Sequence, residues 1–174
     1  RATRVSPSVA VDETKGGVYF LANKDDVLEQ HLYALDLKRG DITRLTERGW
    51  NNSVTADGAA QRFLVTRSNP DQPPQTYLAD ASGKRLSWIN ENRVEGTHPY
   101  APYLASHHPV QFGTLKAADG RTDLHWQMVT PAMEPGKRYP VFFQHYGGPG
   151  SQGVVRNWKN PLIQHLVSRG WIYF

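Results

Sequence analysis

The chain has 174 residues, a formal net charge of +4, a pI near 9.4, 39% hydrophobic and 11% aromatic residues and no cysteine. This is ordinary globular composition with room for a core. It excludes disulfide and thiolate chemistry, offers no apolar run of the roughly 18 residues a membrane-crossing helix needs, and scatters its Lys and Arg without the basic cluster of a nucleic-acid binder.

Arg1 to Pro7 contains no apolar segment of the kind that directs export. From Ser8 to about Asn90 the pattern is β throughout. Candidate strands run over 17–22, 30–36, 42–46, 61–67, 75–80 and 85–89, separated by turn clusters such as Lys38-Arg39-Gly40-Asp41, Asp57-Gly58 and Ser82-Gly83-Lys84. The segment also resembles itself: Phe20 and Leu64, Tyr33 and Tyr77, and Asp36 and Asp80 share one spacing of about 44 positions. A period of roughly 40 to 50 residues with about four strands per unit is that of propeller blades, and a β-sandwich is the alternative that pattern alone leaves open.

Residues 93–109 are Pro- and aromatic-rich and read as a linker. Beyond them, 110–116, 124–129 and 139–144 read as strands, the last a buried one, with Ala118-Asp119-Gly120 as a hairpin turn. A helix follows, with Asn160 as N-cap, Pro161 in its first turn, Leu162, Ile163, Leu166 and Val167 on one apolar face, and Gly170 just past its end. Trp171 to Phe174 form the next strand, so strand, loop, helix and strand make a βαβ unit that opens a parallel sheet. The chain does not begin with Met and stops on an apolar β-prone run; the expectation is an internal piece of a longer polypeptide, whose incomplete sheets disfavour autonomous folding.

Ligands bind where the strands of an α/β sheet end, which draws attention to Tyr146-Gly147-Gly148-Pro149-Gly150-Ser151 after the apolar Pro140-Val141-Phe142-Phe143. Tyr146 there is either a core or rim residue or a phenolic donor. His145 and Tyr146 are expected on opposite sides by strand alternation. Ser151 matches the end of a G-x-S-x-G elbow, but Pro149 stands at its first position, so Ser151 reads as a turn hydroxyl. His107-His108 lack the spacing of metal ligands, and Asp25, Asp26 and Glu29 lack that of a calcium loop and read as a solvated hairpin tip. The glycines at 147–153 lack a phosphate-loop lysine. No metal or cofactor is expected.

The string Pro140 to Gln152 is similar to the motif that opens the catalytic domain of the prolyl oligopeptidase family, in particular its bacterial dipeptidyl peptidase IV branch. Val18 to Ala22, Glu29 to Tyr33 and Thr43 to Trp50 resemble the last propeller segments of those enzymes. The resemblance implies the last blades of a β-propeller at 1–92, about two of them, a linker at 93–109, and the incomplete start of an α/β-hydrolase domain at 110–174. It implies a serine exopeptidase that releases dipeptides, after Pro or Ala, from peptide N-termini, with Tyr146 as oxyanion donor and the Ser, Asp and His of the triad outside this chain. The piece is then expected to be inactive alone. Acylaminoacyl peptidase or prolyl oligopeptidase activity, and a non-catalytic propeller interaction module, are the alternatives. Peptide substrates, no membrane segment and no nucleic acid are the implied partners; a homodimer is compatible, and the compartment stays open between periplasm and cytoplasm, with a lean to the periplasm. Gln144-His145 departs from the family, where this position is more apolar.

Overall fold

A computed structural model describes residues 5–146 and 151–174, with residues 5–8 placed by their backbone. Short alternating runs closed by turn residues become two four-stranded antiparallel sheets. The first holds β1 (Val5–Asp12), β2 (Gly17–Ala22), β3 (His31–Asp36) and β4 (Ile42–Arg44) in that order; the second holds β5 (Asn51–Ala56), β6 (Arg62–Asn69), β7 (Gln72–Asp80) and β8 (Arg85–Asn90).

The internal repeat has a physical basis in these sheets. Tyr33 and Tyr77 occupy equivalent buried positions on β3 and β7. Asp36 and Asp80 end those strands, and each side chain accepts backbone N–H groups of the following turn: Asp36 Oδ1 from Lys38 and Arg39 at 2.9 and 3.1 Å, Asp80 Oδ1 from Ser82 and Lys84 at 2.9 and 3.1 Å. Both turns then use a left-handed glycine, Gly40 at φ 76° and Gly83 at φ 84°.

Two strands, β1 and β5, are absent from the strands expected from sequence. β5 reads Asn-Asn-Ser-Val-Thr-Ala, too polar to look like a strand, yet its polar groups are the reason it sits where it does. Asn52 Nδ2 donates to the carbonyls of Gln30 and Trp50 at 2.8 and 3.1 Å, and Asn51 Oδ1 accepts from the Gln30 N–H at 3.0 Å. β1 contains Pro7, which can donate no ladder bond, and its register with β2 shifts on either side of Ser8. β7 starts earlier than expected and includes Pro73 and Pro74, which lie beyond the Asn90↔Thr76 pair that ends its contact with β8. The two sheets share one core, in which Tyr19 and Leu32 pack on Phe63, Val65, Tyr77 and Ala79.

The chain divides into two compact units, one of Arg1–Arg93 with Val155–Trp158, the other of Val94–Val154 with Lys159–Phe174. In the second unit a 3₁₀ turn at Ala101–Ser106 precedes β9 (Val110–Lys116), β10 (Asp123–Val129), β11 (Val141–Phe142), α1 (Pro161–Ser168) and β12 (Ile172–Tyr173). These strands form one mixed sheet in the order β11-β12-β10-β9, in which β11 and β12 are parallel and the other pairs antiparallel.

The helix begins as expected: Asn160 Oδ1 accepts the Leu162 N–H at 2.9 Å. It ends with Gly170 N–H on the Val167 carbonyl and Trp171 N–H on the Leu166 carbonyl, a Schellman closure. Its buried face differs from the expected one. Leu162 is 60% exposed, while Gln164 is buried because it bonds both ways to the His108 backbone, accepting the N–H at 2.8 Å and donating to the carbonyl at 2.9 Å. Val167 carries the apolar contact, against Val129 and Tyr173.

The apolar run before Tyr146 is also not a buried strand. Val141, Phe142 and Phe143 are 52%, 46% and 61% exposed. Among the described residues β11 is an edge strand, paired on one side only, and the rings of Phe142 and Phe143 lean on Tyr173 and Phe174, with centroids 6.2 and 5.5 Å apart.

Candidate functional site

Tyr146 leaves the sheet at the end of β11. The parallel ladder continues past the two residues of the strand: Ile172 N–H donates to Pro140, Phe174 N–H to Phe142 and Gln144 N–H to Phe174, at 2.9, 2.9 and 2.7 Å. Two residues after the last of these bonds the Tyr146 side chain stands 69% exposed. It borders a cleft of about 440 Å³, walled by Leu124, Trp126, Phe143, His145 and Val154. The walls are aromatic and ordered: Phe174 stacks on Phe143 and on Trp126, with centroids 5.5 and 5.9 Å apart. An open, largely apolar cleft with a phenol at its rim can hold an acyl group and present one O–H to its oxygen.

His145 does not turn away from Tyr146. Both are exposed and both line the cleft, because the chain has left the ladder at Gln144 and strict alternation no longer applies; the His145 ring tilts against Phe143 at 5.7 Å. Gly147, Gly148, Pro149 and Gly150, the glycine-rich part of the motif, lie outside the described residues. Ser151 is exposed. Nothing in the spacing of Trp126 or Val154 marks them as cleft residues; sheet order brings β10 beside β12.

Elsewhere the titratable residues singled out by sequence serve the fold. His107 shares a 2.8 Å hydrogen bond with the Tyr100 hydroxyl, and His108 is held through its backbone by Gln164. Among the described residues no group of three or more His, Cys, Asp or Glu is placed to hold a metal ion. Glu29 is not part of a solvated tip. It is buried, accepts the Gly49 N–H at 3.0 Å, and pairs with His31, whose Nε2 lies 3.0 Å from Glu29 Oε2. Arg156, in the segment that joins this unit, places Nε 3.8 Å from both Glu29 Oε1 and Asp26 Oδ2. Asp25 pairs with Arg44.

Comparison with known proteins shows what this sequence and fold are similar to. Residues 2–74 match the family model described as the dipeptidyl peptidase IV (DPP IV) N-terminal region. The chain is similar to the "Probable dipeptidyl-aminopeptidase B" of Emericella nidulans, 34% identical over 97% of this chain and 19% of that protein. It is likewise similar to the "Probable dipeptidyl peptidase 4" of Aspergillus flavus, 29% identical over 89% of this chain and 20% of that protein. The chain spans about a fifth of the length of these curated relatives. Its fold matches the crystal structure of Porphyromonas gingivalis dipeptidyl peptidase 4 with a TM-score of 0.84, at 23% identity, over 98% of this chain and 24% of that one. The chain is thus similar to part of the dipeptidyl peptidases, and its open antiparallel sheets match the propeller region of that fold, in place of the β-sandwich that pattern alone allowed.

Proposed function

We propose that residues 1–174 form part of a serine exopeptidase that releases N-terminal dipeptides, after Pro or Ala, through an acyl-enzyme intermediate. On this reading residues 1–92 are the last two blades or so of a β-propeller, 93–109 a linker, and 110–174 the opening of an α/β-hydrolase domain. The mixed sheet β11-β12-β10-β9 with α1 crossing between its parallel pair supports the last assignment. The single observation that carries the reading is the Tyr146 phenol, exposed at a strand exit on the rim of an apolar cleft, in a chain similar to part of the dipeptidyl peptidases.

The chemistry follows from where charge develops. When a serine oxygen attacks the scissile carbonyl, negative charge builds on the carbonyl oxygen, and a phenol O–H already aimed there stabilises the transition state more than the bound substrate. Residues 1–174 contribute that donor and the cleft wall; the attacking serine and its His and Asp are assigned to the rest of the enzyme.

In the whole enzyme, Tyr146→Phe is expected to lower kcat on an Ala-Pro chromogenic substrate by about 10² to 10³ with KM little changed. The same substrate with a blocked N-terminus should be a poor one. An unchanged kcat overturns the role of Tyr146, and preference for the blocked substrate overturns the dipeptidyl specificity. Residues 1–174 purified alone should neither turn over peptide nor take up a serine-directed covalent label.

A further inference from the structure

Taking Tyr146 as the oxyanion donor, as above, we propose that Tyr173 and Gln144 form a latch that positions it. Tyr146 is mostly exposed, so packing does little to fix its ring, and its place depends on the backbone that delivers it. That backbone is held at Gln144, two residues earlier, from two directions. Its N–H donates to the Phe174 carbonyl at 2.7 Å, and its side-chain Oε1 accepts the Tyr173 hydroxyl at 2.9 Å.

The latch reaches across the sheet. Tyr173 is buried on β12, packed with Val129 of β10 and Val167 of α1, so the base of its phenol is rigid. The tie is one bond, from the Tyr173 O–H to the Gln144 side-chain oxygen. It runs from β12 to the residue at the exit of β11. This gives the polar side chain of Gln144 a purpose: it is the acceptor that ties the strand exit to the core.

Tyr173 and Gln144 are positioning residues, and the test separates positioning from plain stability. In the whole enzyme, Tyr173→Phe removes the donor and Gln144→Leu the acceptor. Each is expected to lower kcat on the Ala-Pro substrate about tenfold, with KM within about twofold, when rates are counted per titrated active site. The double variant should lose no more than either single one, Gln144→Glu, which keeps an acceptor oxygen, should restore most of the rate, and Tyr173→Phe should cost nothing further in a Tyr146→Phe background. Variants that melt earlier but keep kcat per active site, or whose losses multiply with that of Tyr146→Phe, overturn the latch. If Tyr146→Phe alone leaves kcat intact, the donor reading fails and takes the latch with it, a result distinct from a silent Tyr173→Phe beside a crippled Tyr146→Phe.

Discussion

His31 has no exposed surface and sits inside a closed set of partners. The Leu32 N–H occupies Thr46 Oγ1 as an acceptor, which leaves the Thr46 hydroxyl hydrogen for His31 Nδ1 at 3.0 Å; Nε2 then carries the proton that Glu29 accepts. This network fits a neutral imidazole. Burial lowers the His31 pKa below its ordinary value, against the opposing pull of Glu29 and Asp25 and with help from Arg44. A histidine whose folded pKa is depressed takes up its proton in the unfolded chain first. Stability is therefore full above about pH 6.5 and falls as pH drops below that, until the folded pKa is also passed. The thermal midpoint should decline over that interval, and His31→Asn should flatten the dependence; a midpoint independent of pH there would contradict the assignment. The exposed place of Tyr146 just past a strand was legible because the apolar run and the turn residues around it are contiguous in sequence. The role of Glu29 was not, since its partners His31, Gly49 and Arg156 are drawn together only by folding, and three nearby acids look like a solvated tip until the strands pair.

At the level of strands, what sequence revealed and what it hid divide along chemical lines. Apolar alternation and Gly-containing turns exposed β2, β3, β6 and β8 and the repeat behind them. β5 stayed hidden because its stabilising contacts come from Asn side chains on backbone carbonyls, which no hydropathy pattern records. The helix was found by its caps, but its buried face was misjudged at Leu162 and Gln164, since two hydrogen bonds to the backbone of one residue, His108, outweigh the burial of one leucine. Phe63 is fully buried between the two sheets and meets Tyr19 at 4.8 Å, so Phe63→Ala should cost about 3 to 5 kcal/mol in denaturant unfolding. Gly83 is constrained twice, by its positive φ and by a β-carbon position 2.5 Å from the Leu45 carbonyl oxygen. Gly83→Ala should therefore destabilise clearly more than Gly40→Ala, where the same position meets nothing within 4 Å. Equal melting of the two variants would show that the Leu45 backbone yields freely.

Across the whole chain, sequence order and compact units do not coincide. Val155–Trp158 belongs with Arg1–Arg93, although the residues on both sides of it belong with the other unit. Besides the Arg156 side chain beside Glu29 and Asp26, two backbone donors make the attachment: Arg156 N–H donates to the Leu28 carbonyl at 2.9 Å and Trp158 N–H to the Ser68 hydroxyl at 3.3 Å. Hydrogen exchange should find both amides protected together with those of the β-sheets in that unit, and rapid exchange at either would argue against the attachment. That arrangement sets a rule for anyone recombining this gene with a relative's. A join after residue 93 delivers a first module that lacks four of its own residues and a second stretch that carries four belonging to the other module, so chimeras joined at that single point inherit a mismatched seam, while an exchange that also moves residues 155–158 keeps each partner's residues in one hand.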